Sequence, residues 1–254
     1  MAGTTVLAVN IRAGGSRAAV DALVARACGH HPDVAIFSEY RDNRTGASLR
    51  AALDARGFVH QADSEGGPKN GVLIAAREAF AAIANPFGLS AEEYPNAVLQ
   101  ATLANGLRVY GVYLPGQIRK RPHLRCLIAT ARRTDKAGIE ALCIGDFNSG
   151  RDATDIEINA GRARLRDAFD TADLYLELER EWTEAWLHLH PGTLEYSWYP
   201  FRLKDARPPR NGWRIDKAFV SRALLPRLAS AEYDHGFRTE KLTDHSALVV
   251  SFSG

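Results

Sequence analysis

Polar side chains stand at the ends of several apolar runs, where strands would deliver them to neighbouring loops. They comprise three carboxylates, two carboxamides and an imidazole: Glu39, Asp146, Asp244, Asn10, Asn148 and His245. Loops that follow strand ends can bring such residues together at one edge of a sheet. Oxygen donors of this kind suit a hard divalent cation. The pattern therefore predicts one metal-binding site where these strand ends meet.

Each of these residues also has an ordinary structural explanation when it is taken alone. Asn10 and Glu39 are residue types that serve in turns and helix caps, and Asp146 in Gly-Asp-Phe-Asn can close an Asx-turn. The pair Asp244-His245 can be a surface turn. Four separate coincidences at four strand ends are less economical than one shared site, so we favour the site.

The elements that must position these residues alternate between apolar strands and amphipathic helices. We predict helices at 17–28, with Ser16 as its cap, at 45–56 and at 122–136, and a mostly helical segment at 150–184. We predict strands at 5–10, 34–39, 71–75, 97–103, 107–114, 141–144, 194–198, 215–221 and 246–252. Hairpins mixed with strand–helix units indicate mixed sheets covered by helices, in one domain spanning 1–254.

Composition narrows the class of protein without identifying a partner. The chain has 254 residues and a formal net charge of +2, so any affinity for nucleic acid must come from local charge. Three widely spaced cysteines without a CxxC motif argue against a disulfide framework or a zinc site. No run approaches the ~20 apolar residues that span a bilayer, and no secretory signal precedes the first strand. We therefore expect a cytoplasmic protein that does not contact membranes.

Five short motifs occur in the order of the endonuclease/exonuclease/phosphatase superfamily, which the chain resembles. They are Ala8–Asn10, Ile36–Glu39, Tyr110–Pro115, Ile144–Asn148 and Thr243–Ser246. Two later segments, Tyr196–Tyr199 and Gly212–Asp216, resemble the exonuclease III and abasic-site endonuclease branch. The resemblance implies an α/β (α+β) fold, a four-layer α/β/β/α sandwich with two central mixed β-sheets.

The same resemblance implies the reaction and its substrate. We expect a Mg²⁺-dependent phosphodiesterase, with Mn²⁺ able to substitute, that acts as a DNA-repair nuclease on damaged duplex DNA. It would cut at abasic sites, digest from 3′ ends, or both, as a monomer. The alternative within the superfamily is a phosphatase or phosphodiesterase that acts on lipids or small metabolites.

Roles for the first group of residues follow from the resemblance. Glu39 is expected to be the main metal ligand, with Asn10 beside it. Asp146 is expected to position and deprotonate the attacking water. Asn148, two residues on in an extended segment, would face the same side and donate its amide to the phosphate. Asp244 would support the site from outside or bind a second metal ion.

The remaining catalytic roles concern the phosphate itself. His245 is expected to donate to a phosphate oxygen, and Asp216 to hold its other ring nitrogen and favour the charged form. Tyr113 is expected to hydrogen-bond the phosphate, although a strand tyrosine can equally be a core aromatic. Asn70 would touch the substrate backbone or serve only as a turn residue.

Basic and aromatic residues cluster in the stretch 198–217. The basic ones are Arg202, Lys204, Arg207, Arg210, Arg214 and Lys217, and the aromatic ones are Trp198, Tyr199, Phe201 and Trp213. Cations and stacking rings are what a nucleic-acid surface needs. By resemblance, Trp198, Trp213 and Ile215 would line a pocket for a flipped-out abasic sugar. A second basic cluster spans 119–121 with Arg125. The alternative is a solvated loop above core tryptophans.

Three departures from the branch pattern affect the substrate more than the reaction. Gly116 stands where the branch has a phosphate-contacting Asn, and Gln117 is the candidate to replace it. Arg12 stands at a place that is sometimes acidic, and it would bind phosphate rather than a metal. The segment 150–184 does not follow the branch. Phosphodiester hydrolysis is therefore better supported than abasic-site cleavage.

Overall fold

Twelve strands and six α-helices occur in the computed structural model, which describes residues 3–160, 169–200 and 210–254. The strands are β1 (Thr4–Asn10), β2 (Val34–Tyr40), β3 (His60–Asp63), β4 (Gly71–Ala76), β5 (Phe80–Ala84), β6 (Val98–Leu103), β7 (Arg108–Tyr113), β8 (Ala141–Asp146), β9 (Thr183–Glu184), β10 (Asp216–Val220), β11 (Leu228–Asp234) and β12 (Ala247–Phe252). The helices are α1 (Val20–Gly29), α2 (Arg44–Asp54), α3 (Arg121–Lys136), α4 (Ala172–Glu181), α5 (Ala185–Leu189) and α6 (Gly236–Thr239).

These strands form two mixed sheets of six strands each. The first has the order β11-β12-β1-β2-β4-β3, and the second has the order β5-β6-β7-β8-β10-β9. Each sheet contains one parallel pair, β1 with β2 and β7 with β8, and its other pairs are antiparallel. The parallel pairs end at the same rim of the molecule, since Asn10 in β1 and Asp146 in β8 share a hydrogen bond.

Alternating side chains give the sandwich its layers. In β1, Val6 and Ala8 face the core between the sheets, whereas Leu7 and Val9 pack towards α1 and α2. Helices α3 and α4 cover the outer face of the second sheet in the same way. Sheets covered on both faces need continuous apolar strands, as the sequence shows. The result is the predicted four-layer α/β/β/α sandwich.

Gly111 in β7 lies where the two sheets pack closely against each other. A Cβ atom at this position would lie 2.9 Å from Val72 Cγ1 and 3.0 Å from Ile36 Cγ2. Any larger residue would therefore push the first sheet away from β7, whose end carries Tyr113.

The strands that the sequence did not predict are all at sheet edges. They are β3, β5, β9 and β11. An edge strand has neighbours on one side only, so it tolerates the polar residues of β3 and β11 and the two-residue length of β9, none of which gives the apolar run of a central strand. This reason does not apply to β5, which is apolar throughout although largely exposed. Two other predictions were wrong. Residues 194–198 form no named strand, and helix in the described parts of 150–184 is confined to α4 and a short turn at Glu157–Asn159.

The start of α1 also differs from the prediction. The helix begins at Val20, and its capping position is Ala19 rather than Ser16. The carbonyl oxygen of Ser16 instead accepts the amide of Ala19 at 2.9 Å, within a turn. Across the described chain, no helix combines the length and the apolar character that crossing a membrane would require.

Candidate active site

Asp146 lies at the centre of a cluster of polar residues on the rim. In the second sheet it stands opposite Tyr113 of β7 and Asp216 of β10. Its Oδ1 accepts the amide of Asn148 at 2.8 Å, and its Oδ2 accepts Nδ2 of Asn10 at 2.8 Å. The first bond is the Asx-turn considered from sequence, and the second joins the two sheets. The interpretation of Asp146 as an Asx-turn residue and its interpretation as part of a shared site are therefore compatible.

Burial controls the charge of this carboxyl group. Asp146 is only 1% exposed, and burial raises its pKa to about 7. The nearby charge of His245 opposes this rise, whereas the charges of Asp216 and Glu39 add to it. A carboxyl group with this pKa can accept a proton near neutral pH.

Asp216 and His245 form a buried pair beside Asp146. The imidazole Nδ1 lies 2.9 Å from Asp216 Oδ2 and 3.2 Å from Oδ1. Burial lowers the pKa of His245, but the charge and hydrogen bond of Asp216, together with Asp146 and Asp244, outweigh it and raise the pKa to about 9. At neutral pH the ring is therefore a cation, and its Nε2 is the nitrogen that can donate to an anion.

Glu39 lies on the opposite side of Asp146, at the end of β2. Its backbone adopts a left-handed conformation with φ of 60°. Three donors hold its carboxylate: Nδ2 of Asn10 at 3.2 Å, Nδ2 of Asn70 at 2.9 Å and the amide of Ala13. A strained backbone with a fixed carboxylate is typical of a functional position.

The carboxylate oxygens around Glu39 and Asp146 meet the needs of a hard cation only in part. Glu39, Asp146, Asp216 and Asp244 bring four carboxylates to one rim, and carboxylate oxygens are what Mg²⁺ prefers. Within the described residues, however, no group of three or more His, Cys, Asp or Glu side chains is arranged to hold a metal ion. A cation here would take the rest of its ligands from water and substrate, which is common for Mg²⁺.

Asn70 and Tyr113 form one wall of the cluster. Nδ2 of Asn70 donates to Glu39 and, at 3.3 Å, to the hydroxyl of Tyr113, while its Oδ1 accepts Nε of Arg41. Asn70 is thus more than a turn residue. Tyr113 is half-buried and packs against the inter-sheet core. Burial and the charge of Glu39 raise its pKa to about 12, so the hydroxyl keeps its proton.

Asn148 differs from its prediction in backbone conformation. Its φ is 46°, so the segment turns here and is not extended. Its side-chain Nδ2 donates to the carbonyl of Leu114 at 2.9 Å and to Asp146 Oδ2 at 3.1 Å. The turn still places the carboxamide beside Asp146, but through an Asx-turn rather than strand alternation.

Two tryptophans adjoin the histidine. Trp198 forms isolated bridges with both Trp213 and His245, and its ring centroid lies 5.8 Å from that of Trp213. Both indoles are half-buried, and Ile215 is buried among them with Phe169. Nε1 of Trp198 donates to Asp244 Oδ2 at 3.2 Å. The three residues expected to line a pocket therefore lie together beside His245.

Arg214 does not lie in this pocket, which corrects its expected role in substrate binding. It is 2% exposed, and its guanidinium donates to Asp155 Oδ1 at 2.6 Å and to Glu184 Oε2 at 2.8 Å. Lys217, fully buried, also binds Asp155, at 2.8 Å. These basic residues flank Ile215 and Asp216 in sequence, but both side chains point into the protein and share the carboxylate of Asp155.

The second basic cluster is also corrected by burial. Lys120 is 1% exposed and donates to the carbonyl of Asn148. Arg121 pairs with Asp173 on the surface, and Arg119 lies exposed over the ring of Tyr94. Of the predicted cluster, Arg119 and Arg125 are therefore exposed as expected, Arg121 is partly buried in its ion pair, and Lys120 is buried.

The remaining predicted residues lie on the surface or outside the described chain. Gln117 is exposed at the start of the turn Gln117–Lys120 and has a φ of 59°. Arg12 is exposed, and its Nε lies 3.7 Å from Asp244 Oδ2. The basic residues Arg202, Lys204 and Arg207, with Phe201, lie outside the described residues.

Sequence reasoning missed two buried charges that support the site, Lys120 and Asp155. Lys120 lies in a run of basic residues that suggests an exposed surface. Its position directly before the amphipathic helix α3 is the sequence feature that could have indicated burial. Asp155 lies in the segment 150–184, which does not resemble the exonuclease III branch, and it belongs to no motif. Lys120 contacts the carbonyl of Asn148, and Asp155 contacts the residues on either side of Ile215 and Asp216, and only the tertiary fold reveals such contacts.

Comparison with known proteins gives the same family and fold. The model of the Endonuclease/Exonuclease/phosphatase family matches residues 7–245. No curated protein sequence matches the chain. Three similar solved structures are an AP endonuclease from Archaeoglobus fulgidus (22% identity, TM-score 0.77), a 3′ phosphatase from Neisseria bound to a product DNA hairpin (21%, 0.76) and a 3′-5′ exonuclease from Neisseria meningitidis (22%, 0.78). Each alignment covers 99% of this chain and 100% of the other, which shows a shared fold.

Proposed function

Because the chain belongs to the endonuclease/exonuclease/phosphatase family and is therefore a phosphodiester hydrolase, we propose that it is a Mg²⁺-dependent DNA-repair nuclease. Its substrate is duplex DNA, which it cuts at an abasic site, digests from a 3′ end, or both. The chain acts as a single catalytic domain and as a monomer. Of the similar structures, one is an AP endonuclease, one is a 3′-5′ exonuclease and one holds a DNA hairpin, which supports this choice of substrate.

One observation carries the proposal: the tryptophan pair lies next to the imidazolium that would hold the phosphate. The backbone of Trp198 pairs with those of Trp213 and His245, and its ring centroid lies 5.8 Å from the Trp213 ring and 6.4 Å from the imidazole. An aromatic pocket beside a phosphate donor suits a nucleotide whose sugar has turned out of the helix. A lipid phosphate has no such sugar for the two indoles to enclose.

The reaction would be divided among the buried groups of the rim. Asp146 orients the attacking water and takes its proton. His245, held charged by Asp216, donates from Nε2 to a non-bridging oxygen of the phosphate. The hydroxyl of Tyr113 donates a hydrogen bond to the same phosphate. The carboxamide of Asn148 also donates a hydrogen bond to the phosphate, which replaces its present bond to Asp146.

Glu39 would be the protein's main ligand for Mg²⁺, oriented by Asn10 and Asn70. When bound, the ion would neutralise charge that develops on the phosphate oxygens. Asp244 would then support this arrangement through Trp198 and Arg12. Mn²⁺ has the same preference for oxygen ligands and would substitute.

The direct test is a panel of DNA substrates in the presence of Mg²⁺. It comprises a duplex with one abasic analogue, the matched intact duplex, its single strands and a duplex with a recessed 3′ end. We expect cleavage 5′ to the analogue, or stepwise loss of nucleotides from the 3′ end. Failure to cleave any of them would contradict the proposal, and equal rates on abasic and intact duplexes would remove only the abasic pocket.

A further inference from the structure

Two guanidinium groups share one tyrosine ring next to the tryptophan pair. The Cζ atom of Arg210 lies 4.6 Å from the ring centroid of Tyr199, and that of Arg238 lies 4.5 Å from it. Nη2 of Arg210 also donates to the tyrosine hydroxyl at 3.2 Å. The two arginines come from distant parts of the chain, so the fold has brought two like charges together.

Carboxylates compensate these charges only weakly. Arg210 lies 3.9 Å from Oε1 of Glu157, and the other oxygen of this carboxylate is occupied by the backbone amides of Arg210 and Gly212. The Nε atoms of Arg210 and Arg238 are both buried, and neither has a hydrogen-bond partner in the described chain. Burial lowers the pKa of Arg238, and the charge of Arg210 acts in the same direction. The two guanidinium groups therefore share a single carboxylate, that of Glu157, which is 3.9 Å from Arg210 and leaves positive charge uncompensated.

The stack is tied to the catalytic rim by the backbone. The amide of Tyr199 donates to the carbonyl of Asp244 at 3.4 Å, and the amide of Thr243 donates to the carbonyl of Phe237 in α6, next to Arg238. In an extended segment, the side chains of Trp198 and Tyr199 point to opposite sides. The arginine pair thus adjoins the pocket without belonging to it.

Close packing fixes the position of the ring. A Cβ atom on Gly212 would lie 2.4 Å from Cζ of Tyr199, so the ring rests directly on the backbone of this glycine. Tyr196 contacts the ring edge-on, with centroids 6.4 Å apart. A rigid aromatic platform keeps both guanidinium groups in place before any ligand arrives, which reduces the entropic cost of binding.

The geometry points to a second phosphate-binding subsite, in which Arg210 and Arg238 on the Tyr199 ring bind a backbone phosphate other than the one that is cleaved. Paired guanidinium groups match phosphate oxygens well. This inference rests on the proposed function, and it sharpens the substrate class. The preferred substrate must carry at least two phosphates along one strand, and an isolated phosphodiester fills only the catalytic subsite.

The subsite can be tested by the salt dependence of DNA binding. Each phosphate contact contributes about 0.9 to the slope of log K against log salt concentration. We would measure binding of a fluorescent abasic duplex by Asp146→Asn protein, alone and with Arg210→Gln, Arg238→Gln or both, from about 50 to 200 mM salt. We expect each added substitution to weaken binding and the double substitution to lower the slope by about one or more.

A scan with neutral phosphates identifies the partner. Methylphosphonates replace the phosphates of the duplex one at a time. We expect one replacement near the abasic site to weaken binding by the protein with both arginines and to have little further effect on the double variant. Arg77→Gln is the matched control, because its guanidinium also lies 4.5 Å from a ring centroid, that of Phe58, but far from the rim.

Turnover of a single phosphodiester separates this role from a purely structural one. With bis(p-nitrophenyl) phosphate and otherwise wild-type protein, Arg210→Gln and Arg238→Gln should keep the wild-type rate, whereas their KM for DNA rises about tenfold. An unchanged salt slope, or equal losses on both substrates, would overturn the subsite. Binding with the expected slope but without DNA cleavage by wild-type protein would overturn the proposed function alone, and absence of DNA binding would overturn both.

Discussion

Asp216 Oδ2 lies 2.9 Å from Nδ1 of His245, and both side chains are almost completely buried. A charged imidazole is costly in such a place unless an acid compensates it. Here the acid stands in register with Asp146 across β8 and β10. One strand pair thus positions both Asp146, the proposed proton acceptor, and Asp216, which holds His245.

Replacing Asp216 should change the ionisation of His245. Asp216→Asn removes the main charge that raises the pKa of this histidine to about 9, so burial should then bring it well below that value. NMR titration of the imidazole in the metal-free protein measures the shift. Hydrolysis by the variant should fall about 100-fold or more. As the pH is raised, its remaining activity should be lost at a lower pH than that of wild type, because His245 loses its proton at a lower pH. An unchanged pKa would contradict the assignment.

Glu39 should determine how tightly the metal ion is held. Glu39→Gln keeps the shape of the side chain and removes its charge, so the affinity for Mn²⁺, measured by calorimetry, should fall about tenfold or more. Chelation with EDTA should abolish hydrolysis by wild-type protein. The exposed Glu78 provides the control, and Glu78→Gln should leave affinity unchanged. Equal metal affinity in both variants would place the ion elsewhere.

Trp213 should contribute to recognition of the abasic nucleotide and not to hydrolysis itself. Trp213→Ala should lower kcat/KM for the abasic duplex about 10- to 100-fold, the range expected for a lost stacking contact. Turnover of bis(p-nitrophenyl) phosphate should be unaffected. Leu194→Ala, an exposed apolar residue of the same region, serves as control. A similar loss on both substrates would show that Trp213 supports the fold of the site instead.

Asp155 should stabilise the protein by compensating two buried cations. Asp155→Asn leaves Lys217 and part of Arg214 without an anion, so the free energy of unfolding should fall by about 3–5 kcal/mol. Urea denaturation measures this, with Asp173→Asn in an exposed ion pair as a control expected to change little. A loss no larger than that of the control would contradict the role given to Asp155.

The same network predicts how stability depends on pH. Burial and Arg214 lower the pKa of Lys217 from 10.5 to about 8. Between these values Lys217 binds more protons in the unfolded chain than in the folded one, so its contribution to the free energy of unfolding should rise with pH through this window. Lys217→Met should remove that rise. Parallel slopes for wild type and variant from pH 8 to 10.5 would show that Lys217 does not titrate as described.

The residues that could be predicted from sequence are those at the ends of central strands. Asn10, Glu39 and Asp146 follow apolar runs whose burial on both faces leaves a clear pattern, and strand ends of one sheet meet at one rim. The apolar pattern of the strands could not predict which strand ends of the two different sheets lie next to each other. It depends on contacts such as the hydrogen bond from Asn10 to Asp146, which spans 136 positions in sequence.

The residues that sequence reasoning misplaced are charged residues that the fold buries. Arg214 and Lys120 have the composition of a nucleic-acid surface, yet each is at most 2% exposed. Whether a cation faces solvent depends on which strand or turn packs over it, and here the partners are Asp155 and the carbonyl of Asn148. A basic stretch in sequence therefore does not distinguish a binding surface from a buried network.

The most direct test of the account is single-turnover cleavage of the abasic duplex by wild-type protein and by Asp146→Asn, with Mg²⁺ present. Asp146 is the group that we propose takes the proton of the attacking water. We predict that the substitution lowers the cleavage rate about 10²- to 10⁴-fold while the affinity for the duplex stays within a few-fold. Cleavage by the variant at the wild-type rate would contradict the assignment and the mechanism built on it.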